Sequence, residues 1–193
     1  DSSKTLKIIA GQGEKPIIDG SVSVNPQPLA SQSGVYLINA NYSSGNIPSV
    51  WHESRKIRYS SVQSMEVLKN TDYAMYPYSA NVIAIHPRGG VLPDSSDLRV
   101  SVTDYALNIL RSNVSVKDLY FRGFALNSYS AAIFIGSSNM KNEIDNVSIS
   151  NVNIENSYSG IHSYKSTLIK KISIDNCYIH DVSSGINAHG GDV

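Results

Sequence analysis

Two short segments near the end of the chain carry the residue types best suited to chemistry. They are Gly160-Ile161-His162-Ser163-Tyr164 and Gly185-Ile186-Asn187-Ala188-His189. Imidazole and phenol groups exchange protons, and an amide binds a carboxylate, so the set fits general acid–base chemistry. The candidate catalytic residues are therefore His162, Tyr164 and His189. The candidate substrate-binding residues are Phe134, Asn187, Lys165 and Asp192.

Both segments belong to a repeat of about 25 residues within residues 146–189. Val147-Ser-Ile149-Ser-Asn151 returns as Ile172-Ser-Ile174-Asp-Asn176. Apolar and polar residues alternate in each copy, which indicates strands and not helices. A period of this length, with three short strands and Gly or Asn at the corners, is typical of a parallel β-helix. Each strand would then pair with its equivalent one turn later, about 4.8 Å away.

Alternation also predicts which side chains face outward. If Ile161 and Ile186 point inward, one outward row consists of Phe134, His162 and Asn187. The next row consists of Gly136, Tyr164 and His189. We expect these rows to form one small exposed patch. The competing interpretation is that the residues of both rows are ordinary surface residues of a polar sheet.

Asn151 and Asn176 lie where the alternation breaks between two strands. An amide at such a bend satisfies turn backbone and the same group in the next coil, so we expect the two side chains to stack and bond to each other. Asp118 occupies the same place in an earlier, less regular copy. Cys177 follows the bend at an inward position, which predicts a small buried apolar residue and not a reactive thiol.

These features resemble the right-handed parallel β-helix of the pectate-lyase-like superfamily, which holds polysaccharide lyases, glycoside hydrolases, epimerases and some non-catalytic spikes and adhesins. Three further stretches resemble a bacterial branch of carbohydrate-active β-helix proteins. They run over residues 8–20, 51–58 and 82–124, the last with Pro87-Arg-Gly-Gly90 and Val102-Thr-Asp104-Tyr105.

The resemblance implies an all-β fold, a right-handed parallel β-helix with three short strands per coil. It also implies that the Gly-Ile strands are the first strand of each coil, whose outward side chains floor a substrate groove. The implied function is cleavage of a polysaccharide. The alternatives are a glycoside hydrolase on the same fold and a non-catalytic glycan-binding or structural β-helix, either an adhesin or a stalk.

β-Elimination of a uronic-acid polymer needs a base, an acid and a group that neutralises the carboxylate. His and Tyr supply the first two, while Asn and Lys supply the third. Hydrolysis needs two carboxylates, and Glu155, Asp181 and Asp192 lie near the rows without belonging to them. The polygalacturonase motifs Asp-Asp and Gly-His-Gly are absent, and His189 stands in Ala-His-Gly; an Asn-Thr-Asp occurs at residues 70–72, outside the repeat. Elimination is therefore slightly favoured.

Composition sets wider bounds. The 193 residues, 41% of them hydrophobic, predict a single domain over 1–193 with a less regular excursion at about 39–80. The 16 basic and 16 acidic residues balance, which argues against nucleic acid as a partner. No apolar run is long enough to span a membrane, so we predict no membrane insertion. We expect a secreted or periplasmic, bacterial protein that acts on a polysaccharide, and its oligomeric state stays open.

Local features complete the expectations. Residues 21–35 are expected to form a loop, 50–78 to be poorly periodic, and 65–68 to form a short helix. The final strand has no amphipathic cap, so the chain is expected to be an incomplete piece of a longer solenoid. No cofactor is predicted. Calcium stays open without support, because Asp94 and Asp97 are a thin ligand set.

Overall fold

The computed structural model describes residues 4–40, 42, 47–92, 97–127, 129–138, 143–165 and 167–189. Regular structure in these residues is almost entirely strand, which confirms the all-β prediction. The chain forms two compact units. The first unit comprises Asp1–Gly20, Thr103–Ala125 and Tyr129–Val193, and the second comprises Ser21–Val102 and Leu126–Ser128.

The first unit contains three parallel four-stranded sheets, whose strands are numbered here in chain order. Sheet A consists of β1 (Leu6–Ile9), β13 (Val114–Lys117), β16 (Val147–Ser150) and β19 (Ile172–Asp175). Sheet B consists of β2 (Ile17–Asp19), β14 (Tyr120–Arg122), β17 (Asn153–Glu155) and β20 (Tyr178–His180). Sheet C consists of β12 (Tyr105–Ile109), β15 (Ala131–Ile135), β18 (Ser159–Ser163) and β21 (Ser184–Asn187).

The observed register is the one that the repeat predicts. Val147 pairs with Ile172, and Ile161 pairs with Ile186. One step earlier, Val114 pairs with Val147, so the offset there is 33 residues. Because the chain visits the three sheets in the same order each time, every strand meets its equivalent from the next copy.

The core of the first unit is formed by the inward residues of these sheets. Fully or almost fully buried members are Val116, Phe121, Ile133, Ile135, Ile149 and Ile154. Gly160 is required for this packing, because a Cβ there would come within 2.6 Å of the Gly185 carbonyl oxygen and of Ile179 Cγ2. Cys177 is partly buried against the core, and burial raises the pKa of its thiol.

The bends between sheets A and B carry the predicted side-chain ladder. Asp118, Asn151 and Asn176 all have left-handed backbone, with φ of 59°, 52° and 48°. Asn151 Nδ2 donates to Asp118 Oδ1 at 2.5 Å, and Asn176 Nδ2 donates to Asn151 Oδ1 at 3.3 Å. Asn and Asp tolerate this conformation better than other non-glycine residues, so the bend selects them. The stacking prediction is confirmed.

The second unit is inserted in the sequence between Gly20 and Thr103. Thr103 Oγ1 donates to the Gly20 carbonyl at 3.2 Å, so the two ends of the insertion are adjacent. A side chain at Gly20 would not fit, since a Cβ would stand 2.5 Å from Phe124 Cε1 and from Thr103 Oγ1.

The second unit has two sheets of its own, mostly antiparallel. The five-stranded sheet has the order β4 (Gln27–Pro28), β5 (Tyr36–Asn39), β10 (Val82–His86), β9 (Ala74–Ser79) and β8 (Ser60–Ser61). The four-stranded sheet has the order β3 (Ser21–Ser23), β11 (Leu98–Ser101), β6 (Val50–His52) and β7 (Ile57–Arg58). Its helical segments are α1 (Met65–Lys69) and a 3-10 turn at Arg88–Gly90.

One local expectation for this unit is corrected: residues 21–35 are not all loop, because β3 and β4 lie there. The poorly periodic stretch 50–78 holds β6, β7, β8 and most of β9. These strands are two to six residues long, and several lie at sheet edges, so their apolar alternation is too short to read. The expected short helix is confirmed, with the Ser64 side chain capping its first turn by accepting from Val67 N.

Candidate functional site

Sheet C brings most of the candidate residues together. Phe134 pairs in register with His162, and His162 with Asn187. This is the outward row that the sequence predicts. The row extends one strand further, because Asn108 of β12 pairs with Phe134.

Ring contacts connect this row to the next one. The Phe134 and His162 rings are stacked, with centroids 5.1 Å apart and planes 10° apart. The His189 ring meets His162 edge-on at 5.8 Å, and the Tyr164 ring lies 6.3 Å from Phe134. The three candidate catalytic side chains therefore share one face of sheet C.

The patch is less exposed than expected. Phe134 and His162 are each only 9% exposed, because their rings cover each other and adjoin further rings. Lys165 is exposed, and Asn187 and Tyr164 are of intermediate exposure. Asp192 lies outside the described residues. The site is thus an aromatic strip with a narrow accessible edge and polar groups beside it.

His162 is the most perturbed group of the strip. Its pKa is lowered, first by burial and second by the neighbouring charge of His189. Its Nδ1 atom is buried and has no hydrogen-bond partner among the described residues. Burial and the charge of His189 both favour the neutral imidazole, which is the form in which a histidine can act as a general base.

Neighbouring backbone contacts hold the second row in place. The His189 backbone N–H donates to Ser163 Oγ at 2.6 Å, and Ser163 is 1% exposed. Tyr164 N–H donates to the Ile135 carbonyl at 2.8 Å. The third member, Gly136, has no side chain because Thr167 occupies the space, where a Cβ would come within 2.0 Å of Thr167 Oγ1. The row is therefore fixed by buried groups of the same sheet.

Sequence reasoning missed Tyr105, whose ring lies 5.8 Å from that of Phe134. Strict alternation places Tyr105 inward with Leu107. However, both Ala106 and Leu107 pack against the core, so the alternation breaks between Tyr105 and Leu107. Asn108 had a readable signal, because it is the polar residue inside the otherwise apolar run 106–110.

Two of the three carboxylates considered for hydrolysis lie elsewhere. Glu155 is on sheet B and 2% exposed, and its Oε2 lies 3.5 Å from His180 Nε2. His180 Nδ1 lies 2.8 Å from Asp181 Oδ2. In the adjoining strands Arg122 Nε contacts Asp19 Oδ2 at 2.7 Å. Glu155 and Asp181 thus take part in a charged row on sheet B and are not part of the strip on sheet C.

The aromatic and acidic candidates of the second unit that the structure describes are buried or hydrogen-bonded. Trp51 and His52 are fully buried, and His52 Nε2 lies 2.9 Å from Tyr59 Oη. Burial lowers the pKa of His52 and raises that of Tyr59 above its ordinary range. Of the acidic pair considered for calcium, Asp97 accepts from Ser54 N at 2.6 Å, and Asp94 lies outside the described residues. Within the described part of the chain, no three His, Cys, Asp or Glu side chains are grouped as metal ligands would be.

Comparisons with known proteins add no relative: no family model, no curated protein and no solved structure matches this chain. The family resemblance therefore stays a prediction. Among the described residues, no helix has the length and apolar character needed to cross a bilayer.

Proposed function

We propose that this chain is a right-handed parallel β-helix, with one compact unit inserted into its first coil, and that it acts on a polysaccharide outside the cytoplasm. The support for the fold is the parallel pairing of strands within three sheets that the chain visits in the same order each time, with a ladder of stacked Asn and Asp side chains at one bend. Right-handed crossovers are the rule for parallel strands of one sheet. The first unit is then a coil of three faces.

The preferred activity is β-elimination of a uronic-acid polymer, and the grouping of His162, Tyr164 and His189 on one face of sheet C is the observation that carries it. His162 removes the proton on the carbon next to the substrate carboxylate. The electron pair forms a carbon–carbon double bond as the glycosidic carbon–oxygen bond breaks, and Tyr164 protonates the leaving oxygen. A proton then returns from His162 to Tyr164, so the enzyme is regenerated and no water is consumed.

Binding groups beside the strip fit the same chemistry. Asn187 pairs in register with His162 and donates hydrogen bonds to the substrate carboxylate. Lys165 is exposed next to Tyr164 and adds a positive charge. Phe134 and Tyr105 offer ring edges to the apolar side of a sugar. Acid–base partners and a carboxylate-binding amide thus lie on one face.

A second candidate is glycan binding without cleavage, and the burial of the strip favours it. Phe134 and His162 expose only 9% of their surface each, so little of the base is open to a substrate. Hydrolysis has less support, because Glu155 is buried in ion-pair contact with His180.

The masses of the reaction products distinguish elimination, hydrolysis and binding without cleavage. The protein is incubated with polygalacturonate, alginate, xylan and glucomannan, and the fragments are weighed by mass spectrometry. We expect fragments from the uronic-acid polymers that are one water lighter than hydrolytic fragments. Fragments of hydrolytic mass would contradict elimination, and intact polymers would favour the binding candidate.

Variants then connect the activity to the strip. His162→Gln and Tyr164→Phe are expected to lower turnover by about a hundredfold or more, because each removes a proton-transfer group. Tyr129→Phe is the matched control, since Tyr129 is 72% exposed in the same unit. Full activity in both strip variants, with unfolding transitions unchanged, would place the reaction elsewhere.

A further inference from the structure

A groove lies along the bends between sheets A and B, on a different face from the aromatic strip. Its volume is about 570 Å³. In three coils this bend is two residues long, at 118–119, 151–152 and 176–177. In the first coil the same connection spans the seven residues 10–16. Residues 10–15 of this longer loop line the groove, so the loop forms a wall at one end of the row of short bends.

The floor of the groove holds a buried acceptor without a partner. Tyr120, Asn153 and Tyr178 stand in register on neighbouring strands of sheet B, with Asn153 in the middle. Asn153 Oδ1 is buried, and among the described residues it has no hydrogen-bond partner. A buried acceptor left unpaired is costly, and a ligand hydroxyl would recover that free energy once the Asn153 side chain turns Oδ1 towards the groove.

An aromatic platform lies beside this acceptor. Tyr178 is 67% exposed, and its ring lies 4.6 Å from that of His180 at an angle of 35°. A tyrosine ring presents an apolar face together with a polar hydroxyl, and this combination is enriched at binding surfaces. The platform and the amide acceptor suit a ligand with both an apolar face and hydroxyl groups.

The wall contributes charged groups. Glu14 and Lys15 both line the groove, and the Glu14 carboxylate lies over Gly11, where a Cβ would come within 2.8 Å of Glu14 Oε2. The backbone donors of the bends are already used, because Asn153 N donates to Leu119 O and Tyr178 N to Val152 O. A peptide that binds by adding a strand would need free backbone groups. These two donors are not available to a ligand, so the side chains of the groove carry the recognition proposed here.

We propose that this groove is a non-catalytic binding site for an oligosaccharide. One sugar ring lies on Tyr178, and Glu14 and Lys15 bind hydroxyls at the wall. A hydroxyl of the same or the next sugar donates to Asn153 Oδ1 after the Asn153 side chain turns towards the groove. The volume is within the range of pockets that take small ligands. The proposal rests on the groove alone and does not depend on catalysis at the aromatic strip.

Equilibrium binding tests the site. Hexasaccharides of xylan, glucomannan, chitin and polygalacturonate are titrated into the full chain by calorimetry. For any oligosaccharide that binds, Tyr178→Ala is expected to weaken the affinity about tenfold. Tyr129→Ala, which removes a similarly exposed ring away from the groove, is expected to leave it unchanged.

The outcomes separate this site from the proposed activity. Equal affinity in Tyr178→Ala and the unaltered chain would overturn the groove as a saccharide site, and so would binding of none of the four hexasaccharides. Loss of binding in His162→Gln alone would likewise assign the sugar to the strip. Binding that depends on Tyr178 without any cleavage would keep the groove and reject the proposed activity.

Discussion

At the scale of single residues, one histidine concentrates the chemistry of the first unit. His162 lies between the ring of Phe134 and the edge of His189, and both its burial and the charge of His189 favour the neutral imidazole. The same neighbours limit its accessible surface to 9%. The packing that favours the neutral form of His162 therefore also limits the access of a substrate to it.

The perturbation of His162 predicts a measurable titration. Its pKa is expected to lie below the ordinary value of about 6.5, and His189→Gln is expected to raise it by removing a like charge. Because the folded-state pKa is lowered, the stabilisation by neutral His162 is complete above about pH 6.5 and is lost as the pH falls towards the folded pKa. The imidazole proton shifts of His162, measured by NMR against pH, report its pKa in the unaltered chain and in His189→Gln.

The control for this titration is His180→Gln, because His180 lies on sheet B and has its own acidic partners. It is expected to leave the His162 curve unchanged. A His162 pKa at or above the ordinary value would contradict the neutral-base interpretation. An unchanged curve in His189→Gln would show that burial alone sets the pKa.

At the scale of elements, the bends hold the strands of sheets A and B in register. Asn151 is the middle of the ladder, where it donates to Asp118 and accepts from Asn176. Its φ of 52° suits Asn and is unfavourable for most side chains. The bend at Asn151 therefore depends on both the side-chain amide and the backbone conformation of this residue.

Two substitutions separate these contributions. Asn151→Ala removes the ladder bonds and keeps a Cβ at positive φ, so it is expected to lower the free energy of unfolding by about 2 kcal/mol. Asn151→Gly removes the same bonds and relieves the backbone strain, so its loss is expected to be smaller. Urea unfolding of the two variants makes the comparison. A glycine variant less stable than the alanine variant would mean that backbone strain has no part in the bend.

At the scale of the whole molecule, the two units have separate cores. The core of the first contains residues such as Phe121 and Ile154, while Ile38, Ile83 and Val100 belong to the core of the second. The ends of the insertion meet at Gly20 and Thr103. Each unit therefore has the internal packing expected of an independent folding unit.

This organisation predicts that the insertion can be removed. Replacing residues 21–102 by a short glycine linker is expected to leave a chain that unfolds cooperatively with a β-type circular dichroism spectrum. The variant also carries Leu126→Ser, because Leu126 packs against the core of the second unit and would lose its partners. A chain without a cooperative transition would show that the first unit needs the second.

The sequence by itself determined the strands of the regular copies, their pairing offset, the Asn ladder and the facing of Phe134, His162 and Asn187. These features follow from local alternation and a fixed period, which are read along the chain. A second pair of stacked amides, in which Asn146 Nδ2 donates to Asn113 Oδ1 at 2.7 Å, is not predicted by the repeat, because Lys171 takes the equivalent position in the next copy.

Only the tertiary structure decided what depends on contacts between distant segments. It divided the chain into two units. It placed the Tyr105 ring beside that of Phe134 through a break in alternation, and it buried His162 between the rings of Phe134 and His189. It also formed the groove beside Asn153 from a long first bend and three short ones. Burial and pKa depend on such neighbours, and no period in the sequence specifies them.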